Sequence, residues 1–133
     1  MNKIISKEQF SEKVFKLEIE APLIAKSRRA GHFVIVRVDE KGERMPLTIA
    51  GSNLEKGTIT LVVQTVGLSS TKLCNLNEGD YVLDVVGPLG QATHIQNYGT
   101  VVCAGGGVGV APMLPIIQAL KAAGNRVISV LAG

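Results

Sequence analysis

The sequence predicts a mainly β chain with an α/β end: a six-stranded antiparallel Greek-key barrel over residues 1–97, then the first βαβ unit of a doubly wound domain over 98–133. Three observations carry this. Short stretches of alternating apolar and polar residues, separated by turn residues, fill the first part. The composition, fifteen Gly, no Trp, three Phe and two Tyr in 133 residues, favours a β-rich or α/β chain over a helical bundle. The charge is uneven: 23 of the 25 charged residues lie at or before Asp84, and Val85 to Leu120 is an uncharged run of 36. Strands of a parallel sheet, covered on both faces, read as such apolar runs. The run is also long enough to cross a bilayer. Gly105, Gly106, Gly107 and Gly109, then Pro112 and Pro115, interrupt it as a single span would not tolerate, so no membrane span is expected.

Phe15, Leu17 and Ile19 alternate with Lys16, Glu18 and Glu20 as in a half-buried strand. Phe33 to Val38 is β-branched and runs into the hairpin-type connection Asp39-Glu40-Lys41-Gly42. Met45 to Ala50 and Thr58 to Val66 are further strands, separated by a turn that carries Gly and Asn. Ser69 to Leu76 reads as a short helix capped by Ser69 or Ser70. Tyr81 to Val86 returns as a strand and ends at Gly87-Pro88-Leu89-Gly90.

A linker, Gln91 to Gly99, precedes the change of pattern. Val101 to Ala104 is a buried strand and Gly105 to Gly109 a tight turn. A helix follows, with Met113, Ile116, Ile117 and Leu120 on one face, until Gly124-Asn125 stops it before a strand at Val127 to Leu131. Two parallel strands and one helix cannot cover themselves. The chain is therefore expected to be a piece of a longer protein, with self-association or local disorder after about Gly99.

Several chemistries are excluded. A net charge of +3 from 14 basic and 11 acidic residues gives no concentrated basic face for nucleic acid, and Lys26, Arg28 and Arg29 read as a solvated loop. Cys74 and Cys103 with two isolated His supply neither an iron–sulfur cluster nor a structural zinc site. The start, MNKIISKEQFSEKV, lacks the apolar stretch of a secretory signal, and a cytoplasmic protein with reduced thiols is expected.

Three segments can carry function. Gly105-Gly106-Gly107-Val108-Gly109 between a strand and a helix, with Pro112 in the first helical turn, is built to approach a phosphate; the same glycines also serve close helix–strand packing. It is no Walker loop, since no Lys-Ser/Thr follows the last glycine. In Arg44-Met45-Pro46-Leu47-Thr48, Arg44 is either a fork for a phosphate or a surface charge at a hairpin end, and the Thr48 hydroxyl can face a ring heteroatom. Gly67-Leu68-Ser69-Ser70 offers amides and hydroxyls at a helix start, either to an anion or as a plain cap.

Taken in order, these motifs resemble the ferredoxin–NADP reductase superfamily, and within it the flavin subunits of sulfide dehydrogenase, NADH-dependent ferredoxin:NADP reductase and the electron-transfer subunit of dihydroorotate dehydrogenase. The resemblance implies an FAD-binding barrel followed by an NAD(P)H-binding domain. It assigns Arg44 to the flavin diphosphate and Pro46, Leu47 and Thr48 to the isoalloxazine, with Thr48 the side chain at the reacting ring. Val62, Val63 and Gln64 match the strand that brings backbone groups to the flavin, and Gly67, Ser69 and Ser70 the diphosphate loop. Gly105, Gly106, Gly107, Val108, Gly109 and Pro112 match the nicotinamide-nucleotide loop, with Cys103 just below it.

The implied activity is electron transfer between NAD(P)H and an iron–sulfur partner, such as ferredoxin or the larger iron–sulfur or flavin subunit of a heteromeric dehydrogenase. A non-catalytic flavin- or partner-binding barrel is the alternative. Two departures stand out. Pro46-Leu47 occupies the place where plant-type reductases stack an aromatic on the flavin, and the cysteine cluster that holds a [2Fe–2S] centre, expected only in a further C-terminal part, is absent.

Overall fold

A computed structural model of the chain describes residues 1–132. The barrel part contains β1 (Asn2–Gln9), β2 (Val14–Glu20), α1 (Pro22–Ser27), β3 (Phe33–Arg37), β4 (Met45–Thr48), β5 (Gly51–Asn53), β6 (Thr58–Gln64), α2 (Leu68–Cys74), β7 (Tyr81–Val82) and β8 (Asp84–Leu89). One sheet runs β5-β6-β2-β1-β7 and a second runs β4-β3-β8, with all their pairings antiparallel.

The two sheets are joined at two corners by strands that bend rather than end. Between β4 and β5, the Ile49 amide bonds to His32 O at 3.1 Å in the smaller sheet, and the next amide, Ala50, bonds to Thr60 O at 2.9 Å in the larger. Between β7 and β8, Leu83 N donates to Val38 O at 3.0 Å. Counted through these corners, the eight segments are six continuous strands. The sequence pattern marks five of these six strands; it misses β1 and does not show where a strand changes sheets.

The alternation seen in the sequence becomes the inside and outside of the barrel. Leu17 and Ile19 of β2, Val34 and Val36 of β3 and Ile59, Leu61 and Val63 of β6 point inward and join Ile4, Ile49, Leu73 and Val82 in one core. Their partners Thr60, Val62 and Gln64 lie on the outer face of β6. Each inward aliphatic contributes roughly 1.5–3 kcal/mol by leaving water.

Two short helices plug the ends. The sequence reading left α1 out; Pro22 at its first turn and buried Ile24 and Ala25 define it. The second helix is Leu68–Cys74, earlier than the expected Ser69–Leu76, and its N-cap is Gly67 rather than Ser69 or Ser70. Ser70 instead reaches back, its Oγ accepting the amides of Val66 (3.0 Å) and Gly67 (3.1 Å).

Beyond the barrel, β9 (Thr100–Gly106), a 3-10 turn (Gly107–Gly109), α3 (Val110–Ala122) and β10 (Arg126–Ala132) form a parallel βαβ unit paired from Thr100↔Arg126 to Gly106↔Ala132. The expected turn is thus shorter: Gly105 and Gly106 belong to β9, and only Gly107–Gly109 turn. Gly105 faces α3, because a Cβ there would stand 2.2 Å from Met113 Sδ. The alternate residues Val102 and, on β10, Ile128 and Val130 are exposed. Among the described residues no helix is long and apolar enough to cross a membrane.

Candidate functional site

The outer face of β6 floors two grooves. The first, about 720 Å³, is walled by Pro46 and Leu47 of β4, by Gly67, Ser69 and Ser70 at the start of α2, and by Lys41, Gly42 and Glu43 of the β3–β4 connection. The second, about 750 Å³, lies between the barrel residues Ala50, Gly51, Ser52 and Thr60 and the residues Gly107, Val108, Val110 and Ala111 at the head of α3. Val62, Gln64 and Val108 line both. The grooves therefore meet, and the site is one trough that runs from the α2 loop, across β6, to the glycine turn.

The sequence-predicted residues divide on this geometry. Pro46, Leu47, Val62, Val63, Gln64, Gly67, Ser69 and Ser70 come together with Val108 in the first groove. Val63 contributes backbone, since its side chain is in the core. Arg44 contributes to neither lining: its guanidinium lies 3.7 Å from Asp84 Oδ2 with both side chains about half exposed. Thr48 also lines neither groove. It pairs with Phe33 in the sheet and falls in sequence between Leu47, which lines one groove, and Ala50, which lines the other.

The glycines separate by what surrounds them. Gly105 is held by packing against Met113, and Gly106 by Ala132 O, 3.1 Å from where its Cβ would be. Gly107 has φ +58, a conformation that disfavours side chains. Around Gly67, Gly107 and Gly109 a Cβ would meet nothing within 4 Å. Packing thus accounts for Gly105 and Gly106, whereas Gly107 and Gly109 stand beside open space. Pro112 sits in the first turn of α3, where its missing amide hydrogen costs no helical bond. Cys103 is half-buried on the α3 side of β9, and Cys74 is buried, with desolvation pushing its thiol pKa up.

Four cations that the sequence pattern does not place there line the trough, Lys16 on the second groove among them. Lys41 and Lys72 stand at the first groove, Lys72 paired with Asp39, whose carboxyl is held below its usual range by that hydrogen bond and charge. Arg28, read from sequence as part of a solvated loop, is half-buried in the second groove. Its Nε donates to Ser52 Oγ at 2.9 Å, and desolvation lowers its pKa. No local pattern marks Arg28, because it reaches the trough only through the fold of α1 onto the barrel. Among the described residues no group of three or more His, Cys, Asp or Glu could hold a metal.

Residues 2–94 match the family model described as "Oxidoreductase FAD-binding domain". The chain is 47% identical over 131 residues to the dihydroorotate dehydrogenase B (NAD(+)) electron transfer subunit homolog of Thermotoga maritima, covering 98% of this chain and 46% of that protein. It is 28% identical to the corresponding electron transfer subunit of Bacillus cereus, covering 96% of this chain and 51% of the relative. A solved NADH-dependent reduced ferredoxin-NADP oxidoreductase superposes with a TM-score of 0.97 at 47% identity, over 99% of this chain and 48% of that one. Phthalate dioxygenase reductase shares the fold, with a TM-score of 0.81 at 24% identity, over 99% of this chain and 43% of the other. The chain thus spans about half the length of the relatives it matches.

Proposed function

The chain belongs to the oxidoreductase FAD-binding domain family, and from that premise we propose that its trough holds FAD and serves electron transfer between NAD(P)H and an iron–sulfur partner subunit. One observation carries the reading: the groove on the barrel and the groove at the head of α3 share Val62, Gln64 and Val108, so a ligand on the barrel also meets the glycine turn.

The trough fits such a group. Its floor over Val62 and its wall at Pro46 and Leu47 are apolar, as a flat aromatic ring requires. The open ground over Gly67 lets a diphosphate approach the backbone at the start of α2. Lys41 and Lys72 bring positive charge to that end, and Ser69 leaves a hydroxyl there while Ser70 is spent on the loop. At the other end, Gly107 and Gly109 leave room beside the helix N-terminus for the phosphates of a dinucleotide. Arg44 is placed here as a cation beside the first groove, between Glu43 and Met45 of its lining, and Thr48 as the β4 residue between the two grooves.

When bound, the flavin supplies the exchange between a two-electron donor and one-electron acceptors. The chain's own part is to hold two ligands against one strand face, to keep water from that face with Val62 and Val108, and to orient backbone groups of β6. Proton chemistry by a side chain is not required of it. The partner is proposed as a separate iron–sulfur subunit, because the named relatives are electron transfer subunits.

FAD titrated into the protein, with absorbance and flavin fluorescence read, tests this. A stoichiometric bound-flavin spectrum that bleaches on NADH or NADPH supports the electron-transfer reading. A flavin that binds and never bleaches supports the non-catalytic flavin-binding barrel instead, and no binding overturns both flavin readings and leaves the partner-binding barrel.

A further inference from the structure

Asn125 is a buried amide, 7% exposed, one residue beyond the glycine that ends α3. Its Oδ1 accepts the backbone amides of Tyr98 (2.6 Å) and Gly99 (3.1 Å). Its Nδ2 donates to Gln96 O (2.8 Å) and Leu120 O (2.9 Å). An amide has one acceptor oxygen and two donor hydrogens, so all its capacity is used, and only one orientation of the side chain satisfies all four bonds. The clasp joins the strap 96–99, which enters β9, to the last turn of α3. The neighbouring Arg126 N donates to Gly99 O at 2.8 Å and closes the same corner.

The strap's other end is fixed to the barrel. Thr93 N donates to Ala30 O at 2.9 Å. Gly31, at φ +94, lies so close that a Cβ there would stand 2.5 Å from Thr93 Oγ1 and 2.9 Å from its backbone nitrogen. Between Thr93 and Gln96 only two residues span the gap. The strap is thus short and clasped at both ends, and it connects the barrel to the unit that carries the glycine turn.

We propose that Asn125 is a positioning residue: by clasping the strap to the end of α3 it sets where Gly107 and Val108 stand over the outer face of β6. It thereby sets the approach of the dinucleotide to the flavin, an inference that rests on the FAD and NAD(P)H reading of the trough. A shift of about an ångström in such an approach costs on the order of a hundredfold in rate.

The test uses the flavin-loaded protein and the variants Asn125→Asp, which keeps the size but turns an acceptor toward two carbonyl oxygens, and Asn125→Ala, which removes the clasp. Lys121→Ala, on the exposed side of the same helix end, is the control. Rapid mixing with NADH is expected to show flavin bleaching slowed on the order of a hundredfold in both variants and unchanged in the control. FAD affinity should fall far less than the rate, because Val108 is the one residue of the first groove's lining that lies in the clasped unit, and amide exchange should quicken at Tyr98 and Gly99 but not in β2 or β6. Bleaching at the wild-type rate despite lost protection at Tyr98 and Gly99 overturns the proposal. So does a joint fall in rate, FAD affinity and barrel protection, which would make Asn125 a folding residue. If wild-type protein binds FAD but is not bleached, the reading of the trough fails. The clasp is then judged by exchange, and unchanged protection at Gly107 to Val110 in the variants overturns it.

Discussion

The barrel and the βαβ unit build one trough by opposite means. In the barrel, inward residues at 0% exposure such as Leu17, Ile59 and Leu61 lock β6 in register, and the trough floor is the reverse side of that packing. Among the described residues of the βαβ unit the buried ones are few, Leu120, Pro115 and Asn125, and the trough-facing turn is set by backbone conformation and one amide clasp. One wall of the site is held by hydrophobic burial and the other by glycine geometry and hydrogen bonds. Substitutions should therefore separate stability from ligand binding differently in the two halves.

The largest effect expected is Leu17→Ala, which empties a core position and costs about 2–5 kcal/mol in urea unfolding, whereas Val102→Ser on the exposed face of β9 stays within about 0.5 kcal/mol. Equal losses would break the contrast. Next comes a pair within the glycine loop. Gly105→Ala makes the flexible end of Met113 swing aside and should cost roughly 1–2 kcal/mol, read as lost amide protection in β9 and α3 with FAD affinity retained. Gly109→Ala meets open space at φ −64 and should leave stability level or raise it by up to about 1 kcal/mol, while weakening dinucleotide binding. A Gly109→Ala protein that binds NADH as the wild type does would remove the turn from the site.

Smaller is Ser70→Ala, which strips the Val66 and Gly67 amides of their shared acceptor. A loss of about 1 kcal/mol is expected in thermal unfolding, together with weaker FAD binding, since the loop it holds walls the first groove. Smallest is the Asp39–Lys72 pair. The Asp39 pKa is lowered in the folded chain, so the pair's contribution is present above the ordinary carboxylate range and lost as pH falls through the lowered value. Asp39→Asn should leave the melting temperature near its wild-type value at pH 7 and narrow the difference further in acid. A gap that widens toward low pH would contradict this sign.

Five barrel strands, the βαβ unit and most of the trough lining were legible because period-2 alternation and glycine spacing are local signals, whereas β1 (Asn2–Gln9) was not. Ile59, Leu61 and Val63 alternate with Thr60, Val62 and Gln64, and that pattern alone gives the inner and outer faces of β6. What was not legible depends on distant contacts. Arg28 enters the second groove only because α1 packs on the barrel, and the division of the glycines into packed and open requires Met113 and Ala132 in place. The position of Arg44 comes from its motif, but its contact with Asp84 at 3.7 Å, like the groove contact of Arg28, depends on the fold. The buried clasp of Asn125 had no sequence signal beyond the Gly-Asn that stops a helix.

Hydrogen exchange of the protein with and without FAD tests the central claim, that the two grooves are one site. FAD is expected to slow exchange in three segments together: Val62 to Gln64, Gly67 to Ser70, and Gly107 to Val110. Protection confined to the two barrel segments, with Gly107 to Val110 unchanged at saturating FAD, would contradict it.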